Sequence, residues 1–135
     1  MRKINAVLLI DDDEPTNFIH KKIIQNSGLV EIIHIVQGGR EALHFLSSNE
    51  IKVNNGHIPD VIFLDINMPA MDGWEFLAEY KKLETVQVKR IIIVMLTTSL
   101  NPDDELKARE IKEVYGYKNK PLTKQMIEEI VNKEF

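Results

Sequence analysis

The sequence predicts an α/β domain with a doubly wound, mainly parallel five-stranded sheet. Short apolar runs alternate with segments of helical periodicity along the 135 residues. The runs are rich in β-branched residues, are too short for helices and stop at polar residues. Strands that are apolar on both faces are typical of parallel sheets, because helices cover both sides. Parallel strands need crossover connections, so the predicted order is βα repeated five times.

The five predicted strands are the apolar runs themselves. They cover residues 6–10, 31–36, 61–64, 91–96 and 115–119. The fifth is the weakest prediction, because Gly116 interrupts it.

The five predicted helices lie between and after these strands. They cover residues 15–26, 41–46 and 74–83, a segment that begins at 101–104, and residues 123–133. Asp13 is expected to cap the first helix, which stops at Ser27-Gly28. Asp72-Gly73 is expected to form the turn before the third helix, with a positive φ at Gly73.

The domain organisation is expected to be a single domain over residues 1–135, with no output domain. The length fits one domain on the usual prior of about 150 residues. One long polar connection, residues 47–59, is expected to be an exposed loop.

Composition excludes several classes of function. The chain has no cysteine, which rules out disulfides, Cys-based zinc sites and thiol nucleophiles. The 17 basic and 21 acidic residues give a net charge of −4, which disfavours nucleic acid as a partner. The longest apolar run is far shorter than the ~20 residues of a membrane span. No signal peptide pattern opens the chain, so we expect a cytoplasmic protein without a membrane partner.

Polar side chains with complementary chemistry stand at the strand ends. Asp11, Asp12 and Asp13 follow the first strand, Asp65 the third, Thr97 the fourth and Lys120 the fifth. In open α/β sheets this edge holds the ligand crevice. Crowded carboxylates favour a hard cation such as Mg²⁺, which is commonly bound by one or two carboxylates and phosphate oxygens. The set predicts a site for phosphoryl transfer to a carboxylate.

Two motifs resemble the receiver domain of two-component response regulators. They are residues 8–12, Leu-Leu-Ile-Asp-Asp, and residues 65–73, Asp-Ile-Asn-Met-Pro-Ala-Met-Asp-Gly. Thr97 and the Lys120-Pro121 pair fit the same pattern in the same order. The resemblance covers nearly the whole chain and implies a flavodoxin-like fold with strand order 2-1-3-4-5.

The resemblance also implies a role for each site residue. Asp65 corresponds to the phosphoacceptor, Lys120 to the residue that pairs with phosphoryl oxygens, and Thr97 to the hydroxyl that later bonds the phosphoryl group. Tyr117 matches the aromatic whose rotamer follows Thr97. The implied Mg²⁺ ligands are Asp11, Asp12, Asp65 and the backbone carbonyl of Asn67.

The implied partners are a sensor histidine kinase or a histidine phosphotransfer protein, and a downstream protein in trans or a second copy of the chain. Output is expected at the face formed by the fourth helix, the fifth strand and the last helix, with Tyr117 turning from solvent toward the core. The implied chemistry is self-phosphorylation and autodephosphorylation at Asp65.

Two other functions compete with this one. A Mg²⁺-dependent aspartyl phosphatase of the haloacid-dehalogenase type also uses Asp, Thr and Lys. It normally places the nucleophile after the first strand and the metal acids last, which is the reverse of the order here. A receiver-like module that is never phosphorylated usually lacks an acid, the Thr or the Lys, and all are present here.

Overall fold

The computed structural model describes residues 3–47, 58–83 and 90–135, and it has the predicted (βα)5 arrangement. The elements are β1 (Ile4–Ile10), α1 (Glu14–Ser27), β2 (Val30–Val36), α2 (Gly39–Ser47), β3 (Val61–Asp65), α3 (Gly73–Tyr80), β4 (Ile92–Thr97), α4 (Pro102–Glu110), β5 (Val114–Asn119) and α5 (Lys124–Glu134). Most of the predicted 47–59 connection lies outside the described residues.

The strands form one parallel sheet in the order β2-β1-β3-β4-β5. The predicted fold class and strand order are therefore confirmed. The chain passes from β1 to one edge strand, β2, and then returns to the other side of β1 as β3. This reversal beside β1 is the switch point at which open α/β sheets bind ligands.

The core has two layers, because successive residues of a buried strand face opposite sides of the sheet. In β1, Leu8 and Ile10 pack in the layer that includes Phe76 of α3. Val7 and Leu9 pack in the layer that includes Ile24 of α1 and residues of α5. Both faces are covered, which explains the unbroken apolar runs.

Side chains near the helix starts determine where α1 and α3 begin. Asp13 caps α1, because its carboxylate accepts hydrogen bonds from the backbone N–H and hydroxyl of Thr16. This confirms its predicted role. Asp72 caps α3 in a reciprocal capping box with Glu75.

The predicted end of the third helix was too late. The helix ends at Tyr80 rather than at Leu83. The backbone N–H groups of Lys82 and Leu83 bond to carbonyls only three residues back, at 3.1 and 3.0 Å. This tighter bonding is a common ending for α-helices, and apolar periodicity alone does not reveal it.

The predicted positive φ at Gly73 was wrong. The glycine is the first residue of α3, and the positive φ in the preceding loop belongs to Ala70, at 67°. Gly73 is needed for close approach, since a Cβ there would lie 2.9 Å from the carbonyl oxygen of Asp65. Its N–H also donates to the carbonyl oxygen of Ile66 at 2.8 Å.

Among the helices of the described residues, none combines the length and the apolar character that a membrane span requires.

Candidate functional site

The polar strand ends meet at the carboxyl edge of the sheet, around the β1–β3 pair. Ile10 of β1 lies opposite Leu64 of β3, so the residues that follow them, Asp11 and Asp65, are neighbours. Thr97 ends β4 and pairs with Asn119 of β5, and Lys120 follows directly. The backbone N–H of Lys120 donates to the carbonyl oxygen of Thr97 at 2.7 Å.

Lys120 joins the two buried carboxylates. Its Nζ lies 2.6 Å from Oδ2 of Asp11 and 3.2 Å from Oδ1 of Asp65. Asp11 and Asp65 are only 4% and 7% exposed. The Lys120-Pro121 peptide bond is cis. The three residues come from three different strand ends, so the sheet itself brings these charges together.

Burial and charge shift the pKa values at this site. Burial, together with the Asp11 charge, raises the pKa of Asp65 from an ordinary 3.8 to about 6, although Lys120 opposes the shift. Burial alone would lower the pKa of Lys120, but the hydrogen bond and charge of Asp11, with Asp65, raise it overall. The site therefore holds a cationic amine beside a carboxylate whose charge is poorly stabilised.

Asp11, Asp12 and Asp65 form a group whose carboxylate oxygens lie within 4.8 Å of one another. Two of these acids are buried and Asp12 is exposed. Lys120 supplies one positive charge to this group of three, so an uncompensated negative charge remains. An all-oxygen set of this kind fits a hard divalent cation.

Asn67 lies close to this group through its backbone. Its backbone N–H has a small lowering effect on the pKa of the Asp65 carboxylate, and its side chain is exposed. Ligation of a metal by the Asn67 carbonyl stays a prediction. Asp13 serves as the cap of α1 and is absent from the three-acid group.

Thr97 and Tyr117 bond to the loop after β4. The buried Thr97 hydroxyl donates to the carbonyl oxygen of Ser99 at 3.1 Å and accepts from its N–H at 3.2 Å. The hydroxyl of Tyr117 accepts a hydrogen bond from the N–H of Asn101, the cap of α4, at 3.3 Å. The ring is half-buried against the core, and its turn further toward the core on phosphorylation stays a prediction.

Two buried polar residues of α1 support the site and were missed from the sequence. The side-chain amide of Asn17 donates to the carbonyl oxygen of Asp11 at 2.9 Å. Nε2 of His20 accepts from the N–H of Leu122 at 3.2 Å, which fixes the segment after Lys120. Burial lowers the pKa of His20, and the Lys120 charge adds to this effect although the Asp11 charge opposes it, so the imidazole is a neutral acceptor.

A family model described as the response regulator receiver domain matches residues 7–132. The chain belongs to this family. A two component response regulator from Cytophaga hutchinsonii has a similar structure, with 39% identity, a TM-score of 0.88, and coverage of 98% of this chain and 97% of that one.

Response regulator Rcp1 of Synechocystis is a second relative, 33% identical over 106 residues that cover 78% of this chain and 70% of its own. The Mn²⁺-bound structure of Rcp1 has a TM-score of 0.72 and 32% identity, and it covers 93% of this chain and 91% of that one.

Membership of this family establishes the general activity. Receiver domains accept a phosphoryl group, bind a divalent metal ion in an acidic pocket, and interact with histidine kinases or phosphotransfer proteins. Two-component phosphorelay signalling therefore fits this chain. The aspartyl phosphatase is not favoured.

Proposed function

We propose that this chain is a response regulator receiver domain that accepts a phosphoryl group on Asp65 from a histidine kinase or phosphotransfer protein. The observation that carries the proposal is the group of three carboxylates within 4.8 Å of one another, with the Lys120 amine against two of them. This is the arrangement that a dianionic phosphoryl group needs, because both positive charge and a nucleophile are close together.

Asp65 acts as the nucleophile. A carboxylate oxygen attacks the phosphorus of a phosphohistidine donor, the P–N bond breaks, and the imidazole nitrogen leaves with the electron pair. The product on Asp65 is an acyl phosphate, which water later hydrolyses to phosphate and the free carboxylate. With a pKa of about 6, Asp65 is largely ionised at neutral pH and ready to attack.

Lys120 holds its charge beside the reacting atoms throughout. Its raised pKa keeps the amine protonated, and its Nζ is already within 3.2 Å of Asp65. When Asp65 carries the phosphoryl group, this amine donates to phosphoryl oxygens in exchange for its bonds to the carboxylates.

Mg²⁺ is the metal that we propose for the acidic group, held by Asp11, Asp12, Asp65 and the carbonyl of Asn67. When bound, it supplies positive charge that neutralises the equatorial oxygens of the transferring group. The donor set supports this choice, because it contains only oxygen ligands.

Thr97 and Tyr117 are proposed to carry the signal. Once the phosphoryl group is present, the Thr97 hydroxyl exchanges its bonds to Ser99 for a bond to a phosphoryl oxygen. This exchange moves the loop after β4. The movement displaces the Asn101 N–H, which donates a hydrogen bond to the Tyr117 hydroxyl. The face formed by α4, β5 and α5 then binds a downstream protein in trans or a second copy of the chain.

Intact-mass measurement with acetyl phosphate tests the assignment of Asp65. We expect the wild type to gain one phosphoryl group with Mg²⁺ and none with EDTA. Asp65→Asn should gain none. Asp13→Asn is the matched control, because asparagine caps helices as well as aspartate and this variant should label like the wild type.

Three outcomes count against parts of the proposal. Equal labelling of wild type and Asp65→Asn would contradict the assignment of the phosphoacceptor. Undiminished labelling in EDTA would contradict the metal. A wild type that is never labelled, yet binds a kinase, would favour the receiver-like binding module.

A further inference from the structure

A cavity of about 250 Å³ opens between β5 and α5, on the side of the sheet away from α4. Its floor is apolar and consists of Val94, Gly116, Met126 and Ile130. Val94 and Ile130 are buried core residues, so the cavity reaches down to the α1–α5 layer of the core. The phosphoryl-transfer mechanism makes no use of it.

The cavity exists because position 116 has no side chain. Gly116 pairs with Val94 of β4, and a Cβ on it would meet only the two Val94 methyl groups, at 3.9 Å each. That is ordinary contact, and Gly116 does not have a positive φ. Neither crowding nor backbone conformation requires glycine here, so its effect is to leave the space open.

A register shift turns an aromatic residue toward the rim of the cavity, that is, the residues around its opening. Ile93 pairs with Val114 and Val94 with Gly116, so the pairing of β4 with β5 skips Tyr115. Bulges of this kind re-aim side chains at sheet edges, and β5 is an edge strand. Tyr115 is 37% exposed and lines the opening.

The rim also carries two lysines that are available to a ligand. Lys118 and Lys133 line the cavity and are exposed. Within the described ranges, neither forms an ion pair. The one acid at the rim, Glu129, accepts a hydrogen bond from Gln125 at 3.4 Å. The rim is therefore net positive on a chain whose net charge is −4.

We infer that this cavity receives an apolar side chain from an acidic segment of a partner protein. An apolar cavity of about 150 Å³ accommodates a benzene-sized group, so 250 Å³ accommodates a Leu, Met or Phe side chain. Carboxylates that flank this side chain pair with Lys118 and Lys133, and Tyr115 adds an amphipathic aromatic surface of the kind enriched at interfaces.

The inference deepens the proposed function and rests on it, because it names the chemistry of the partner that the α4–β5–α5 face binds. The cavity opens between β5 and α5, which are two of the three elements of that face. The positive rim selects an acidic partner, and an apolar anchor in a desolvated pocket provides the type of contact that dominates interface energetics.

Two capped pentapeptides test the inference, one with a central Leu between pairs of Asp and one with the same Leu between pairs of Lys. We expect the Asp peptide to shift the NMR signals of the Gly116 amide and the Met126 methyl, more weakly as salt is raised. The Lys peptide should leave both signals unchanged.

Substitutions at the floor and at the rim of the cavity test separately how each contributes to peptide binding. Gly116→Val should weaken binding of the Asp peptide at least tenfold, whereas Gly116→Ala, which adds one methyl group, should retain most of it. Lys118→Glu should also weaken binding. Lys112→Glu makes the same change of charge at an exposed position outside the cavity lining, and it should bind like the wild type.

Failure of the Asp peptide to shift these signals, or binding that Gly116→Val leaves intact, would overturn the inference. Concentration-dependent shifts of the same signals without peptide would overturn it in favour of a second copy as the occupant. Acetyl phosphate labelling of the wild type keeps the two proposals apart: no labelling with intact peptide binding counts against Asp65 alone, and labelling without peptide binding counts against the cavity alone.

Discussion

The negative charge of Asp65 destabilises the folded state. It is 7% exposed, lies beside Asp11, and has a pKa raised to about 6. Lys120 offsets part of this unfavourable energy, because it lies 3.2 Å from one carboxylate oxygen. The buried charge of Asp65 therefore lowers the stability of the fold, and a bound cation would offset this effect.

Asp65→Asn should therefore stabilise the protein in EDTA at pH 7, by about 3 kcal/mol in free energy of unfolding. The folded-state pKa lies above the unfolded value of about 3.8, so the folded state binds more protons between these values. The contribution of Asp65 to wild-type stability therefore falls as pH rises from about 4 through about 6, and the difference from the variant disappears below pH 4. Urea unfolding of both proteins at pH 4 and pH 7 measures it.

Mg²⁺ provides the control for this prediction. A cation that binds only the folded state stabilises it, so Mg²⁺ should raise the melting temperature of the wild type and raise that of Asp65→Asn much less. An advantage of Asp65→Asn that is the same at pH 4 and pH 7 would contradict the electrostatic explanation.

The site residues divide into those that the sequence predicted and those that it did not. Asp11, Asp65 and Lys120 were predicted, because each follows an apolar strand and parallel strands end at one edge. Asn17 and His20 were missed, because they lie inside a helix and bond to backbone atoms outside it. The sequence did contain a signal for them. Asn17 and His20 lie seven and four residues before the buried Ile24, a helical spacing that places all three on the core-facing side of α1.

Among the elements, the β3–α3 loop, which follows Asp65, makes opposite demands on two of its residues. One residue has a positive φ, and the other has no room for a side chain. Ala70 has a φ of 67°, a conformation that costs L-residues roughly 1–2 kcal/mol. Gly73 packs so closely against the end of β3 that a Cβ would lie 2.9 Å from the Asp65 carbonyl oxygen. The loop therefore has an alanine where glycine suits the backbone and a glycine where no side chain fits.

Single substitutions at these two positions should have opposite effects. Ala70→Gly should raise the free energy of unfolding by about 0.5–1 kcal/mol, since relief of the left-handed strain exceeds the added chain entropy. Gly73→Ala should lower it by about 1–3 kcal/mol and slow acetyl phosphate labelling, because β3 or α3 must move. Chemical unfolding and labelling rates measure both effects.

Gly116→Ala is the matched control for Gly73→Ala, because its Cβ would lie 3.9 Å from the nearest atoms, which is ordinary contact. It should be neutral or stabilising. A Gly73→Ala protein as stable as the wild type would show that the close approach to Asp65 is not a constraint.

The elements also show where prediction from the sequence loses precision. Strand ends at the site were predicted within one residue, because each apolar run stops at a polar functional residue. Helix ends were less accurate, as in α2, which begins at Gly39 rather than at 41. Helix ends depend on caps and on local hydrogen bonds, and a Gly-Gly pair gives no apolar periodicity from which to place a start.

At the scale of the whole molecule, a continuous series of contacts joins the site to the proposed output face. Lys120 bonds the Thr97 carbonyl, the Thr97 hydroxyl bonds Ser99, and Tyr117 bonds Asn101 at the start of α4. α4 itself buries only Ala108. A helix with so small a buried surface moves at low energetic cost, so a shift of a few kcal/mol at the site suffices to switch it.

Beryllofluoride, a mimic of the phosphoryl group, should change the NMR signals of α4 and β5 and leave those of α1 unchanged. A hydrogen bond from Thr97 to the mimic competes with the bonds to Ser99 and thereby displaces the Asn101–Tyr117 contact. NMR shift mapping should place the largest distant changes between Leu106 and Tyr117, and light scattering will show whether a second copy binds. Asp65→Asn is the control and should not respond. Changes that cluster on α1, where Phe18 and Ile19 are exposed, and leave α4 and β5 untouched would instead indicate output through the first helix.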